Sequence, residues 1–334
     1  TRPLIAQASR QFMRVLGDRL NWEAPASNTA ANRFGNITLA YNGGDIASLF
    51  GAPVSGKPAS NLWLRAMGGF GDIDGDGNAA GADYNSSGMA LGYDREVRDG
   101  LRAGVAFGFT RSDVDAAAGN TGIDSYQLAA YGRRQWADDY LAASLGIGHH
   151  RADSTRRIRF GGFSEVARAD YATDGLGLAL EAGRHYAWSA ASRVTPFAGL
   201  EYGHFRQHGY QESGAGDANL RFVADGMDSL RSLLGARLSN ALAAADGTRL
   251  DTAVGLSWAH EFMDRTASLN PAFAVNGSVP FKISGPASGR DHLLATLGAS
   301  ARLGKAARLE LDYSGEFAEA ERQHAVSATF RMQW

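Results

Sequence analysis

From about residue 61 onward, apolar and polar residues alternate in steps of two, the spacing of extended strands with one face in an apolar medium and the other in a polar one. The C-terminal stretch is the clearest. Val326, Ala328, Phe330, Met332 and Trp334 alternate with Ser327, Thr329, Arg331 and Gln333, and Leu309, Leu311 and Tyr313 alternate with Arg308, Glu310, Asp312 and Ser314. The pattern predicts twelve strands, over 62–70, 87–94, 101–111, 125–134, 140–150, 175–186, 194–206, 229–238, 248–260, 292–303, 307–315 and 323–334. The third is typical: Leu101, Ala103, Val105, Phe107 and Phe109 lie on one face, and Arg102, Gly104, Ala106, Gly108 and Thr110 on the other. Trp63 and Tyr131 fall on what should be the polar face, so the first and fourth strands are less clear.

The connections between these strands alternate between long (71–86, 112–124, 151–174, 207–228, 261–291, with a medium one at 316–322) and short (95–100, 135–139, 187–193, 239–247, 304–306). A Greek-key sandwich gives no reason for that alternation. An up-and-down transmembrane barrel does, with tight turns at one rim and long loops at the other, its apolar stripes turned toward lipid. An even strand count also returns the chain to the rim where it began. The stretch 273–283 is read as a hairpin or extension within the loop 261–291, since a thirteenth strand would break that parity.

Residues 4–20 switch to helical spacing. Ile5, Ala8, Phe12, Val15 or Leu16, and Leu20 recur at three and four, with Arg2, Arg10, Arg14 and Arg19 around the remaining faces. About twenty residues at roughly 1.5 Å each span one bilayer core of about 30 Å, but the arginines keep most faces out of lipid. One reading is a surface helix on a globular domain. The other is a pore helix, with Ile5, Phe12, Arg14, Val15 and Arg19 lying inside a polar lumen. Glycines recur on the predicted inner face (Gly104, Gly108, Gly146, Gly148, Gly177, Gly183, Gly203, Gly235, Gly255, Gly298), where another element must approach closely. Charged residues on that face (Arg102, Glu181, Glu201, Arg231, Arg237, Asp251, Arg302, Glu310 and Asp312) are expected to pair with the helix arginines. The fold class is therefore an all-β membrane protein: a twelve-stranded antiparallel up-and-down transmembrane β-barrel with an N-terminal α-helix in the lumen. Its expected divisions are a pore helix at 1–21, a linker at 22–60 that is rich in Asn, Ala, Ser, Gly and Pro, and the barrel at 61–334.

Composition narrows this picture. The 334 residues carry a net charge of −2, which gives no basic footprint for nucleic acid, and no Cys. No apolar run approaches the roughly 18 residues a membrane helix needs, and the mean hydropathy of −0.25 does not argue against a barrel, whose strands hide half their residues from such averages. Residues 1–20 are not a signal peptide, so the chain is either cytoplasmic or the mature C-terminal part of something longer. Catalytic and phosphate-binding motifs are missing, and no cofactor is expected. His260-Glu261 is half of a zincin motif without its second His, and His149, His150, Asp153 and Ser154 crowd one loop too closely for an ordinary triad. A barrel lipase or protease with a rim active site and a soluble binding sandwich remain the competing readings. Asp72, Asp74 and Asp76, followed by Gly77, with Asp83 at the twelfth position, copy the start of a calcium loop. That loop lacks flanking helices and a terminal Glu.

Over residues 60 to 334 the sequence resembles the translocator domains of type V autotransporters of Gram-negative bacteria. The resemblance is carried by Trp63-Leu64-Arg65, the Gly/Asp-rich loop 74–81, Gly92-Tyr93-Asp94, Arg157-Ile158-Arg159-Phe160, Ala169-Asp170-Tyr171 and Thr195-Pro196-Phe197-Ala198. It continues through Leu230-Arg231-Ser232, Gly235-Ala236-Arg237, Trp258-Ala259-His260-Glu261-Phe262, Phe281, Arg290-Asp291, Tyr313-Ser314-Gly315 and the terminal aromatic, in order. It implies a twelve-stranded barrel in outer-membrane lipid that exports an N-terminal passenger domain, acts as a monomer, and is afterwards plugged by its helix. It also implies assembly by the Bam machinery and periplasmic chaperones, with Phe330, Met332 and Trp334 as the assembly signal. Some members cleave their passenger by cyclisation of an Asn in the lumen, for which Asn21, Asn28, Asn32 and Asn36 beside Glu181 and Glu201 are the candidates. The stretch 22–60 is longer than the family's usual link between helix and first strand.

Overall fold

The alternation builds twelve wall strands. In a computed structural model that describes residues 2–21, 60–243, 249–264, 266, 268–275, 278–304 and 306–334, they are β1 (Ser60–Ile73), β2 (Ala82–Arg98), β3 (Leu101–Ala116), β4 (Gly119–Trp136), β5 (Asp139–Phe160) and β6 (Phe163–Arg184), then β7 (Ser192–Gln207), β8 (Asp225–Ala243), β9 (Arg249–Glu261), β10 (Asp291–Leu303), β11 (Ala307–Ala318) and β12 (Glu321–Gln333). Each pairs antiparallel with the next. The wall closes where β12 returns to β1, from Asn61↔Gln333 to Ile73↔Glu321. Closure removes every sheet edge, which the membrane interior requires. The linker expected over 22–60 lies, apart from Ser60, outside the described residues.

The pleat sends alternate side chains to opposite sides of the wall. Val105, Phe107, Leu128, Leu145, Ile147, Leu234 and Leu256 point outward and are half exposed, forming the lipid-facing band. Tyr93, Trp136 and Trp334 mark its lower edge, where Tyr93 and Trp334 lie 6.4 Å apart. A lysine at Val105, near the middle of the band, should cost about 2–4 kcal/mol; urea titration of folding into lipid vesicles measures that loss directly.

Two-residue turns at 99–100 and 137–138 sit at the rim where β1 begins and β12 ends, and the loops 208–224 and 262–290 sit at the other. Short turns face the periplasm and long loops the outside. Within 262–290, Ala272–Phe273 pairs with Leu220–Phe222 and Ile283–Ser284 pairs with Ser268–Leu269, so the stretch 273–283 stays within its loop. Two of the loops expected from sequence are corrected. Most of 112–124 and 151–174 is strand, because β3 and β4 meet at the turn 117–118, and β5 and β6 at 161–162. Above the membrane the outward positions Arg111, Asp113, Asp153 and Asp170 are polar. The alternation fades there although the ladder continues.

The chain's N-terminal helix α1 (Arg2–Asn21) fills the lumen. Ile5, Phe12, Val15, Leu16 and Leu20, the residues at helical spacing, are fully or almost fully buried against the inner wall. None of the described helices is long and apolar enough to cross a membrane itself.

Candidate functional site

The lumen and its plug form the site. The start of α1 packs at the extracellular end, where Leu4, Ile5 and Ala6 meet Ile73, Tyr84, Val114, Ile123 and Phe205. Its second half packs lower, where Phe12, Val15, Leu16 and Leu20 meet Trp63, Met67, Ala106, Tyr131 and Tyr140. The helix therefore runs from the extracellular mouth down to the periplasmic one. Burying Phe12, Leu16 and Leu20 contributes about 1.5–3 kcal/mol each.

Charged anchors hold the helix at its periplasmic end and at mid-length. Near the periplasmic end, Asp94 is fully buried and accepts hydrogen bonds from Arg19 Nη2 (2.7 Å), Asn61 Nδ2 (2.9 Å) and Tyr131 OH (3.0 Å), with Arg102 3.7 Å away. Tyr131 is held in turn by Trp63 Nε1 (2.8 Å). Arg133 Nη1 donates to the Leu20 carbonyl (2.5 Å), satisfying one of the open acceptors at the helix C-terminus. Toward the extracellular end Glu316 takes Arg14 (2.5 Å) and Arg231 (2.8 Å), and Gln7 bonds Tyr84 OH. Trp63 and Tyr131, unexpected on a polar face, are the docking surface for α1: this lumen is a packed interior, and its lining tolerates aromatics.

Glycine sets the clearance. A Cβ at Gly108 would fall 2.6 Å from the Phe12 ring, too close for any carbon. Gly108→Leu should therefore displace α1 and destabilise the plugged barrel by about 1–3 kcal/mol. Phe12→Ala in the same chain should restore part of the loss, read as the temperature at which unboiled gel mobility collapses.

The expected lumen residues face inward, but most pair with other residues of the wall and not with the helix. Glu181 takes both Arg237 nitrogens (2.9 and 2.6 Å) and Tyr140 OH (2.6 Å). Arg231 lies 3.9 Å from Glu201, Arg308 3.5 Å from Asp251, and Arg331 bonds Glu310. Asp312 meets Arg65 (3.2 Å), which also reaches Asp18 of the helix (3.5 Å). Arg302 keeps the inward register but sits exposed at the periplasmic rim. The reason is position: α1 leans chiefly on β4, β5 and β6. On the opposite side, two clefts that open to solvent lie between it and β7–β12. The decisive partners of its arginines, Asp94 and Glu316, were missed. Asp94 is visible in sequence only as an inward position of β2, and Glu316 lies beyond the strand end expected at 315.

Phe330 and Met332 project outward from β12, with Trp334 just beyond its end at the periplasmic rim. In the loop 74–81, the backbone N–H groups of Ala79 and Asn78 donate to Asp76 Oδ1 and that of Ala287 to Oδ2, which holds this carboxyl below the usual carboxylate range. Asp72 and Asp83 face each other across β1 and β2. Among the described residues no three acidic or imidazole groups converge on a metal position. His149 and Asp153 point outward from β5 while His150 and Ser154 point inward, so the crowded tetrad is split between the two faces. Asn28, Asn32 and Asn36, and the side chain of Asn21, lie outside the described residues.

A family model described as autotransporter beta-domain matches residues 62–314. The chain belongs to the autotransporter β-domain family. It is 29% identical over 278 residues to an extracellular serine protease of Serratia marcescens, covering 80% of this chain and 26% of that protein. It is 30% identical over 285 residues to the esterase EstA of Pseudomonas aeruginosa, covering 79% of this chain and 42% of EstA. The chain thus spans only a quarter to two fifths of these relatives. Among solved structures, the translocator domain of the autotransporter NalP from Neisseria meningitidis has a TM-score of 0.69 at 16% identity, covering 99% of this chain and 97% of that one. The β-domain of the Bordetella autotransporter BrkA has a TM-score of 0.61 at 22% identity, covering 82% and 99%. An autotransporter β-domain is a translocator in the Gram-negative outer membrane that exports a passenger, and here the helix plugs its pore.

Proposed function

We propose that α1 is the tether by which an exported passenger leaves the lumen, with everything N-terminal to it on the cell surface and the pore sealed behind it by the anchors at Asp94 and Glu316. The carrying observation is the direction of the helix: Leu4 and Ile5 pack at the extracellular mouth, Arg19 and Leu20 at the periplasmic one. An epitope fused ahead of Thr1 should be reached by antibody on intact cells; an epitope reached only after permeabilisation would reverse the direction of export.

In the same reading the barrel works as a monomer. Periplasmic chaperones carry it to the Bam machinery, which recognises β12 through Phe330, Met332 and Trp334. Lumen charges such as Arg237 and Glu181 set conductance and not anchoring. Passenger activity belongs to segments ahead of the barrel; two relatives are named as a protease and an esterase, and this chain matches 26% and 42% of their lengths. Release of the passenger at an Asn between 21 and 36 would show as a defined new terminus in mass spectrometry of the cell-surface fraction.

A further inference from the structure

The outward face of β3 to β7 changes character within a few residues. Register places Phe107, Leu128, Ile147 and Leu176 in one row, turned to acyl chains from β3 to β6, and the row continues with His204 on β7. The next row toward the outside, about 7 Å higher along the strands, is Phe109, Tyr126, His149, Asp174 and Arg206. Above it come Arg111, Asp124 and Arg151. These two rows stand where hydrocarbon gives way to headgroups.

The carboxylates at this level are already engaged. Asp174 is held at one oxygen by His149 Nδ1 (2.8 Å) and at the other by His208 Nε2 (2.8 Å). Asp228 accepts from Tyr202 OH (2.8 Å) and lies 3.0 Å from His204 Nδ1. Asp124 lies 3.6 Å from Arg111. Arg206, directly opposite Asp174, and Arg151, directly opposite Asp124, are exposed and have neither ion pair nor hydrogen bond among the described residues. Two guanidinium groups at the edge of a hydrocarbon layer thus lack a counter-ion among the described residues, while the carboxylates directly opposite them are occupied by imidazoles and a third arginine. Arg322 on β12 is different: it stands directly opposite Asp72, away from both of these arginines.

We propose that Arg151 and Arg206 bind the phosphate of a phosphorylated glycolipid headgroup in the outer leaflet. Their backbones are two strands apart and two residues offset, about 12 Å in all, which two long side chains can close. Guanidinium and phosphate form the strongest charge-assisted pairs available at such a site. The apolar row beneath would carry the acyl chains of the same molecule, so the headgroup and its chains meet the wall together.

The test uses the folded full chain in detergent micelles, titrated with a diphosphorylated glucosamine lipid, with its dephosphorylated form and with inorganic phosphate, and read by native mass spectrometry. The phosphorylated lipid should bind at least about tenfold tighter than the dephosphorylated one, the weight of one hydrogen bond to a charged group. Arg151→Gln with Arg206→Gln should abolish that preference while unboiled gel mobility stays that of a folded barrel, and Arg322→Gln should leave it intact. Should the double variant fold poorly, Arg206→Gln alone should still narrow the preference. Equal binding of both lipids, a preference that survives the double variant, an equal loss in Arg322→Gln, or inorganic phosphate binding as tightly as the lipid would each overturn the proposal.

Discussion

Deleting residues 2–21 turns small, fluctuating channels into steady ones of several-fold larger conductance in planar bilayers. An α-helix with its side chains is about 10–12 Å across, and α1 occupies most of the lumen, the clefts beside it including two against β7–β12. Ions in the intact barrel must therefore pass along walls lined by Arg237, Glu181, Asp312 and Asp18, which explains why the plugged current should be small and noisy. Removal of the helix also frees Asp94 and Glu316 from Arg19 and Arg14 and leaves Trp63, Met67 and Tyr131 facing water. The deletion variant should accordingly lose its folded gel mobility at a lower temperature. Unchanged conductance in the deletion variant would mean that something other than α1 closes the pore.

Asp94→Ala should be the most damaging single substitution in the lumen. It removes one carboxylate but strands Arg19, itself buried, together with Asn61 and Tyr131. Breaking a buried pair from one side costs about 3–5 kcal/mol, because the remaining charge has no counter-ion. Urea titration in lipid vesicles measures the loss. A double-mutant cycle with Arg19→Met isolates the pair, since removing both partners should recover much of the cost. The lower end of α1 should also come loose, so that trypsin added from the periplasmic side cuts at Arg19 in Asp94→Ala and spares the parent. Equal losses in Asp94→Ala and in the double variant would show that the carboxylate supports the wall and not the helix.

What the sequence disclosed follows from which surroundings each residue meets. Val105, Phe107, Leu256 and Phe330 meet lipid, and lipid enforces alternation, so the number of strands, their parity and the side each residue faces were all readable. Beyond the membrane both faces meet water. There the ladders Ser112↔Ile123 and Ser154↔Ala169 run on without an alternating signal, and the strand ends were placed too low. Trp63 and Tyr131 looked like exceptions because a polar lumen was assumed. Once α1 fills it, the inner face is partly a protein core, and a tryptophan can lie over Gly92 with its indole N–H bonded to Tyr131. The pairing of charges was the least legible part. Whether Arg19 meets Asp94 or Asp251 depends on where the helix leans across the lumen, and nothing local in the chain records that.

The direct test of the central claim, that α1 lies inside the barrel with its lower end against β2, uses the absence of native cysteine. Arg19→Cys is combined either with Asp94→Cys, on the lumen side of β2, or with Tyr93→Cys, one residue away on the lipid side, and joined in the folded state with a bifunctional thiol reagent that spans the length of the replaced arginine, since two backbones bridged by that side chain lie beyond disulfide reach. Peptide mass spectrometry should find the 19–94 cross-link in high yield and no 19–93 cross-link. A bond to position 93, or none to position 94 in a barrel that otherwise migrates as folded, would contradict the account.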